Sequence, residues 1–285
     1  MMNRKSCAVF LLQGCVSKCE SWKTGNWLIR KGMKMKKYLS SNALKIIACI
    51  CMLTDHVGAI LADNNYYMRA AGRIAFPIFA FLIVQGMFYT SDIRKYLIRL
   101  GMFAIVSEIP FDLALHDTVW YPGAQNIFFT LTSGLFAIYA LDSRGPLGKW
   151  KVEIALTAAL LAEFLRFDYG MAGVGIIILF YLCEKERGGA EAGCTSNTVG
   201  ACSGTDVQMG LYFSWKQNLE ILLVSALMYI LCLGVNQMYA LLAMIPVNMY
   251  NGERGNVKLK YVFYLFYPVH LILIWIIWKN MSLGA

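Results

Sequence analysis

The chain has 285 residues, 58% of them hydrophobic and 15% charged, with a mean hydropathy of +0.53. Soluble domains carry about 25% charge and about 45–50% apolar residues, so the composition excludes an ordinary soluble domain and points to an all-α polytopic membrane protein. The net charge of +9 does not signal nucleic-acid binding, because the lysines and arginines lie between hydrophobic runs with no aromatic-studded basic domain around them. Nine cysteines are scattered along the chain. Cys49, Cys51, Cys183 and Cys232 lie in or beside apolar runs, as small hydrophobes. With three histidines and no C-x-x-C motif paired to one, no metal site is expected.

In chain order, apolar stretches of roughly 17–25 residues, some shorter, give about nine transmembrane helices. Their bounds are near 43–62, 70–90, 95–115, 126–141, 150–165, 169–184, 216–233, 237–250 and 261–278. The short, tightly connected pair 150–165 and 169–184 also reads as one re-entrant hairpin. Residues 1–40 form a basic N-terminal extension, disordered or a misassigned start, with translation beginning near Met33 or Met35. Arg4, Lys5 and the apolar stretch from Cys7 to Val16 resemble a signal peptide. Residues 41–280 make a single transmembrane domain, and 188–210 is a flexible cytosolic Gly/Ser/Thr-rich loop within it.

Basic residues set the orientation. They crowd the segment before the first span and then alternate connections, such as Arg94, Lys95 and Arg99 or Arg254, Lys258 and Lys260. The opposite side holds Arg69, Arg166 and Lys279. This bias places the N-terminus in the cytosol and the C-terminus outside the plasma membrane.

Asp55 and His56 lie side by side inside the first span. An ionisable residue in hydrocarbon is costly unless it faces a cavity or a partner, and a chain that only crosses a membrane has no use for one. Lys45 and His56 are eleven residues apart, which puts them within about 20° on one helical stripe and roughly 16 Å apart along it. Glu108 and Asp112 share a face of the third span, as Arg69 and Arg73 share one at the start of the second. Asn126 opens the fourth span, and Asp168-Tyr169-Gly170 opens the sixth. The topology therefore brings Asp55, His56, Arg73, Glu108, Asp112, Asn126 and Asp168 to the outer third of the bilayer, around one polar intramembrane cavity. A purely structural reading pairs Arg73 with Glu108 or Asp112 to fix helix packing. His270, mid-span, suits packing or chemistry equally, and His116 reads as a surface residue.

Several ordered motifs resemble the TraX family. They are Lys45-Ile46-Ile47-Ala48 with Thr54-Asp55-His56-Val57-Gly58, then Gly72-Arg73-Ile74-Ala75-Phe76-Pro77, Ser107-Glu108-Ile109-Pro110-Phe111-Asp112, Asn126-Ile127-Phe128-Phe129-Thr130, Asp168-Tyr169-Gly170 and Phe266-Tyr267-Pro268-Val269-His270. The family is named for a conjugation protein that acetylates the N-terminal amine of pilin. It also resembles the wider transmembrane acyltransferase superfamily, whose first span carries Arg-x10-His. Here Lys45 stands in place of that arginine, keeping the charge and losing its bidentate grip on phosphate.

The resemblance implies an acetyltransferase using cytosolic acetyl-CoA, whose nucleotide rests near Lys45 and whose thioester reaches His56. His56 acts as general base, with Asp55, Glu108 or Asp112 orienting it. Arg73, Asn126, Asp168, Tyr169 and His270 support the site. The acceptor is an extracytoplasmic amine or hydroxyl on a pilin-like protein, peptide or glycan. Two other readings stand beside this one: an ion- or proton-coupled transporter, and a non-catalytic assembly factor of a conjugation or secretion machine.

The charge bias generates a topology prediction. A reporter fused after Trp278 reads extracytoplasmic and one inserted in 188–210 reads cytosolic; the same compartment from both would break the shared-depth argument.

Overall fold

The computed structural model describes residues 38–143, 146–194, 235–253, 255 and 260–283. The candidate span 216–233, nearly all of the N-terminal extension and the latter part of the 188–210 loop lie outside the described residues. Within them the secondary structure is helical, with two isolated β-bridges. The helices are α1 (Ser41–Ile60), α2 (Tyr66–Gly72), α3 (Ala75–Tyr89), α4 (Ile93–His116), α5 (Ile127–Asp142), α6 (Lys151–Phe164), α7 (Gly170–Cys194), α8 (Met244–Asn248) and α9 (Lys260–Leu283). Stretches Ser41–Ile60, Tyr66–Tyr89 and Tyr261–Leu283 are long and apolar enough to cross a membrane, which makes this a membrane protein.

Prolines explain where two expected spans differ from single helices. The second expected span divides into α2 and α3 at Arg73 and Ile74, whose amides make short-range bonds to Ala70 and Ala71. Pro77 has no N–H for the Arg73 carbonyl and its ring crowds that oxygen, so a regular α-turn cannot run through. The stretch 237–250, expected as one transmembrane helix, is instead a 3₁₀ segment, Val235–Ala243, leading into α8. Pro246 likewise deprives the Leu242 carbonyl of its partner, and it is accommodated in the first turn of α8. Residues 150–165 and 169–184 are two helices joined by a tight turn in which Arg166 and Tyr169 have positive φ. α7 runs on to Cys194, into the segment expected to be a loop.

The core sits around α5, where Leu135, Ala137 and Ile138 are fully buried. α6 approaches through a row of small residues, Ala155, Ala158, Ala159 and Ala162, packed with Ala137 and Val174. Small side chains let backbones come close, which is how helices gain dispersion contact where lipid supplies no hydrophobic drive. The opposite face of α6 exposes Leu156, Leu160, Leu161 and Phe164. α4 likewise exposes Ile98, Met102, Ile105 and Ile109. Helices apolar on both faces belong in hydrocarbon, not in water.

α1 and α9 run in the same direction. Lys45 lies over the Phe263 ring at 5.4 Å and His56 meets His270 further along, in the same order on both helices. The start of α1 is held by backbone: Leu39 N–H donates to the Met249 carbonyl at 3.0 Å and Asn251 N–H to Leu39 at 2.9 Å. Beyond the end of α4, Asp117 accepts from Lys279 Nζ at 2.8 Å and from Trp275 Nε1 at 3.1 Å. Those donors hold its carboxyl below the usual range.

α1 and α2 touch through glycine. A Cβ on Gly72 would stand 2.2 Å from the Asp55 Cβ, and one on Gly58 would stand 2.6 Å from the Met68 Cβ. Gly72→Val therefore forces the helices apart, at a cost of about 1–3 kcal/mol for overpacking. Thermal unfolding of the purified protein in detergent should show a lowered midpoint; an unchanged midpoint would refute this contact.

Candidate functional site

The centre of the site is a pair of imidazoles from parallel helices. His56 Nδ1 and His270 Nε2 are 2.7 Å apart, with the rings 5.0 Å between centroids and inclined by 16°. The two residues are 8% and 5% exposed. His270 Nδ1–H donates to the Phe266 carbonyl one turn back, at 2.6 Å. The Tyr267 ring stands edge-on to both imidazoles, at 6.0 and 5.7 Å. Phe128 from α5 closes the far side of Tyr267, at 5.1 Å.

A charged layer surrounds the α1–α2 contact. Arg69 Nη1 donates to Asp55 Oδ2 at 2.7 Å, while Asp55 Oδ1 is buried without a hydrogen bond among the described residues. Arg73 faces Tyr169 and the carboxylates of Asp168 and Asp55. The expected ion pair of Arg73 with Glu108 or Asp112 is therefore corrected: the acids near Arg73 are Asp55 and Asp168. Close packing at Gly58 and Gly72 brings the face bearing Arg69 directly onto Asp55, and Glu108 is bound elsewhere. Tyr169 adopts φ of +64°, a conformation costly for a bulky side chain. Its ring stacks on Phe76 at 4.1 Å, and Thr130 Oγ1 donates to the Asp168 carbonyl.

Glu108 and Asn126 join α4 to α5. Glu108 Oε2 accepts from the Asn126 backbone N–H at 3.2 Å and from its side-chain amide. That amide also donates to the Ala104 carbonyl at 2.8 Å, and Asn126 Oδ1 caps α5 by accepting from Phe128 N–H. Every polar atom of Asn126 is thus engaged, so this pair fastens the start of α5 to α4. Asp112, fully buried, accepts from the Tyr121 N–H at 2.8 Å and secures the α4–α5 loop. His116, expected at the surface, is half-buried and stacks on Tyr121 at 3.9 Å. Of the acids expected to orient His56, Asp55 binds Arg69, Glu108 binds Asn126 and Asp112 binds the loop backbone; the imidazole bonded to His56 is His270.

The contacts join helices in pairs: α4 to α5 at Glu108, α5 to α7 by the Gln125–Phe167 bridge, α3 to α7 at Phe76, and α1 to α9 at His56. Lys45 is about 16 Å from His56 along α1, half-exposed over Phe263. A phosphate-bearing ligand would find its charge there. Sequence reasoning missed three participants: Arg69 as the partner of Asp55, Tyr267 beside both rings, and the Phe266 carbonyl. The i, i+3 spacing of Tyr267 and His270 was the available signal for the second. Among the described residues, no group of three His, Cys, Asp or Glu side chains converges as a metal ion requires.

Comparison with known proteins places these residues in a family. The model described as TraX protein matches residues 40–278. A Dichelobacter nodosus protein named Probable fimbrial assembly protein FimC is 28% identical over 249 residues, covering 82% of this chain and 94% of its own length. An Escherichia coli protein named Protein TraX is 28% identical over 150 residues, covering 52% of this chain and 58% of its own. No solved structure matches.

The Arg69–Asp55 pair generates a stability prediction. Arg69→Ala leaves a half-buried carboxylate beside Gly72 without its cation, and breaking a buried pair costs about 3–5 kcal/mol where burial is complete. Arg69 is 29% exposed, so the loss should be only a fraction of that. Adding Asp55→Asn should restore part of it. Equal unfolding midpoints for wild type and Arg69→Ala would contradict the assignment.

Proposed function

The chain belongs to the TraX family, and from that we propose that it is a membrane acetyltransferase, moving an acetyl group from cytosolic acetyl-CoA to an amine or hydroxyl outside the membrane. A pilin-like protein is the proposed acceptor, since its relatives are named for fimbrial assembly and as TraX. The protein would act in the plasma membrane, with a cytosolic N-terminus and an extracytoplasmic C-terminus. The observation that carries this reading is the buried contact between His56 and His270.

The arrangement suits acyl transfer for three reasons. A neutral imidazole accepts a proton near neutral pH, which an amine or hydroxyl must lose as it is acylated. His56 and Lys45 share a stripe of α1 with about 16 Å between them, a span that separates donor charge from reacting carbon. α1 and α9 run parallel, which sets Phe263 beside Lys45 and His270 beside His56. Acetyl-CoA supplies the activated acyl group and a thiolate leaving group. Lys45 would hold its phosphates, and His56 would hold and then release the acceptor's proton. Arg69 and Asp55 would fix the α1–α2 wall beside the imidazole.

A proton-coupled transporter is the second reading, favoured by Asp55 Oδ1, a buried carboxylate oxygen with no hydrogen bond among the described residues. The two separate cleanly. His56→Ala should lower acetyl transfer by about 10²–10⁴-fold while leaving CoA binding near the wild-type value. Lys45→Ala should weaken acetyl-CoA binding more than it slows chemistry. Failure of the wild-type protein to bind CoA would remove the donor assignment and favour the transporter. Bound CoA with a fully active His56→Ala would take catalysis away from this histidine.

A further inference from the structure

The Phe266 carbonyl determines more than the position of His270. A carbonyl only accepts, so the hydrogen at that 2.6 Å contact belongs to His270 Nδ1. In a neutral imidazole the other nitrogen then carries a bare lone pair, here His270 Nε2. The 2.7 Å contact to His56 needs one hydrogen, and His270 Nε2 has none to give. His56 Nδ1 must supply it. His56 is therefore left with its lone pair on Nε2. From Phe266 O to His270 to His56, one backbone group dictates the tautomers of two side chains.

We infer that His270 is a positioning residue that fixes the proton of His56 on Nδ1 and so makes His56 Nε2 the basic nitrogen of the site. This inference deepens the acetyltransferase reading and rests on it for its catalytic consequence alone; the tautomers follow from geometry. The role matches that of the buried third member in nucleophile–base–orienter constellations, which holds an imidazole in its useful tautomer and receives a hydrogen bond that strengthens as the ring becomes cationic. Here a neutral imidazole fills a place that a carboxylate fills elsewhere. Asp55, the residue beside His56 in sequence, is committed to Arg69 instead. The titratable and charged groups facing His56 are His270 and Tyr267 on α9, Arg69 on α2 and Arg73 at the α2–α3 junction.

The proton balance of the step follows. As the acceptor nitrogen or oxygen forms its bond to the acyl carbon, its proton passes to His56 Nε2. The carbon–sulfur bond of the donor breaks, and the proton leaves Nε2 for the departing sulfur. His56 is unchanged after one turnover, and His270 keeps its own proton on Nδ1 throughout.

Two measurements test this. The first needs no activity: nitrogen NMR of the full-length, histidine-labelled protein in detergent, with the three histidines assigned through single His→Gln variants. At neutral pH, His56 should show a protonated Nδ1 and a bare Nε2, and His270 a protonated Nδ1. A hydrogen on His56 Nε2, or two on either ring, would overturn the inference. The second is kinetic. His270→Ala should release His56 into mixed tautomers, lower kcat by about 10²–10⁴-fold with KM little changed, and shift the acid limb of the kcat–pH profile. His270→Gln places an amide oxygen where Nε2 stood, so it should keep the His56 tautomer and recover most of the lost rate. Ala and Gln variants of equal activity, or an unmoved His56 tautomer in the Ala variant, would refute the positioning role. If the wild type transfers no acetyl group, the acetyltransferase reading falls while the nitrogen spectra still decide the tautomers.

Discussion

A carboxylate taken out of water must find a cation or a donor, and the requirement is harshest where lipid surrounds the fold. Asp55 meets it through Arg69, at 2.7 Å. That pair forms only because α1 and α2 press together where Gly58 and Gly72 leave no side chain between them. Much of the site's geometry depends on this contact. It fixes the end of α1, hence the place of His56, next to the Pro77 break at which Arg73 turns toward Asp168 and Tyr169. The same need for partners operates at Glu108, whose bonds to Asn126 tie α4 to the start of α5. Polar groups here act as fasteners as well as chemistry.

With the acids so employed, the histidines are left to one another. Nothing in helix propensity requires His56 and His270 to meet, since they come from helices at opposite ends of the chain. Their contact needs α1 and α9 to be adjacent and parallel, as the paired contacts of Lys45 with Phe263 and of His56 with His270 show. Tyr267 then fills the space beside both rings, and Phe128 backs it. Two parallel helices, with an aromatic wall beside them, bring the imidazoles within 2.7 Å.

The helical class was legible because hydrocarbon imposes it: among the described residues, apolar runs such as those at α1 (Ser41–Ile60), α4, α5 and α9 are helices near the expected bounds. The pairing of Glu108 with Asn126 joins two of the residues expected at one depth. Partner choice was not. Arg69 and Arg73 are one turn apart and chemically alike, and only the glycine contact decides which of them reaches Asp55. The 3₁₀ course of Val235–Ala243 was hidden because its composition is as apolar as a span, while the constraint that bends it is Pro246, near its far end. His270 was visible as an intramembrane histidine, yet its role depends on a helix-to-helix contact that no local pattern encodes.

One residue shows what the arrangement costs. Tyr169 holds a left-handed backbone at φ of +64°, and Gly170 follows at +46°. A non-glycine residue held there costs of order 1–3 kcal/mol and persists only where its surroundings fix it. Those surroundings are explicit: the Tyr169 ring lies flat on Phe76, and Arg73 faces it. The turn lets Asp168 present its carbonyl to Thr130 on α5 and its carboxylate toward Arg73. A relaxed turn with an extended Tyr169 would take the aromatic ring off Phe76 and leave Arg73 with less to face. The strain is thus tied to the charged layer beside His56, and the packing of α3, α5 and α7 sustains it.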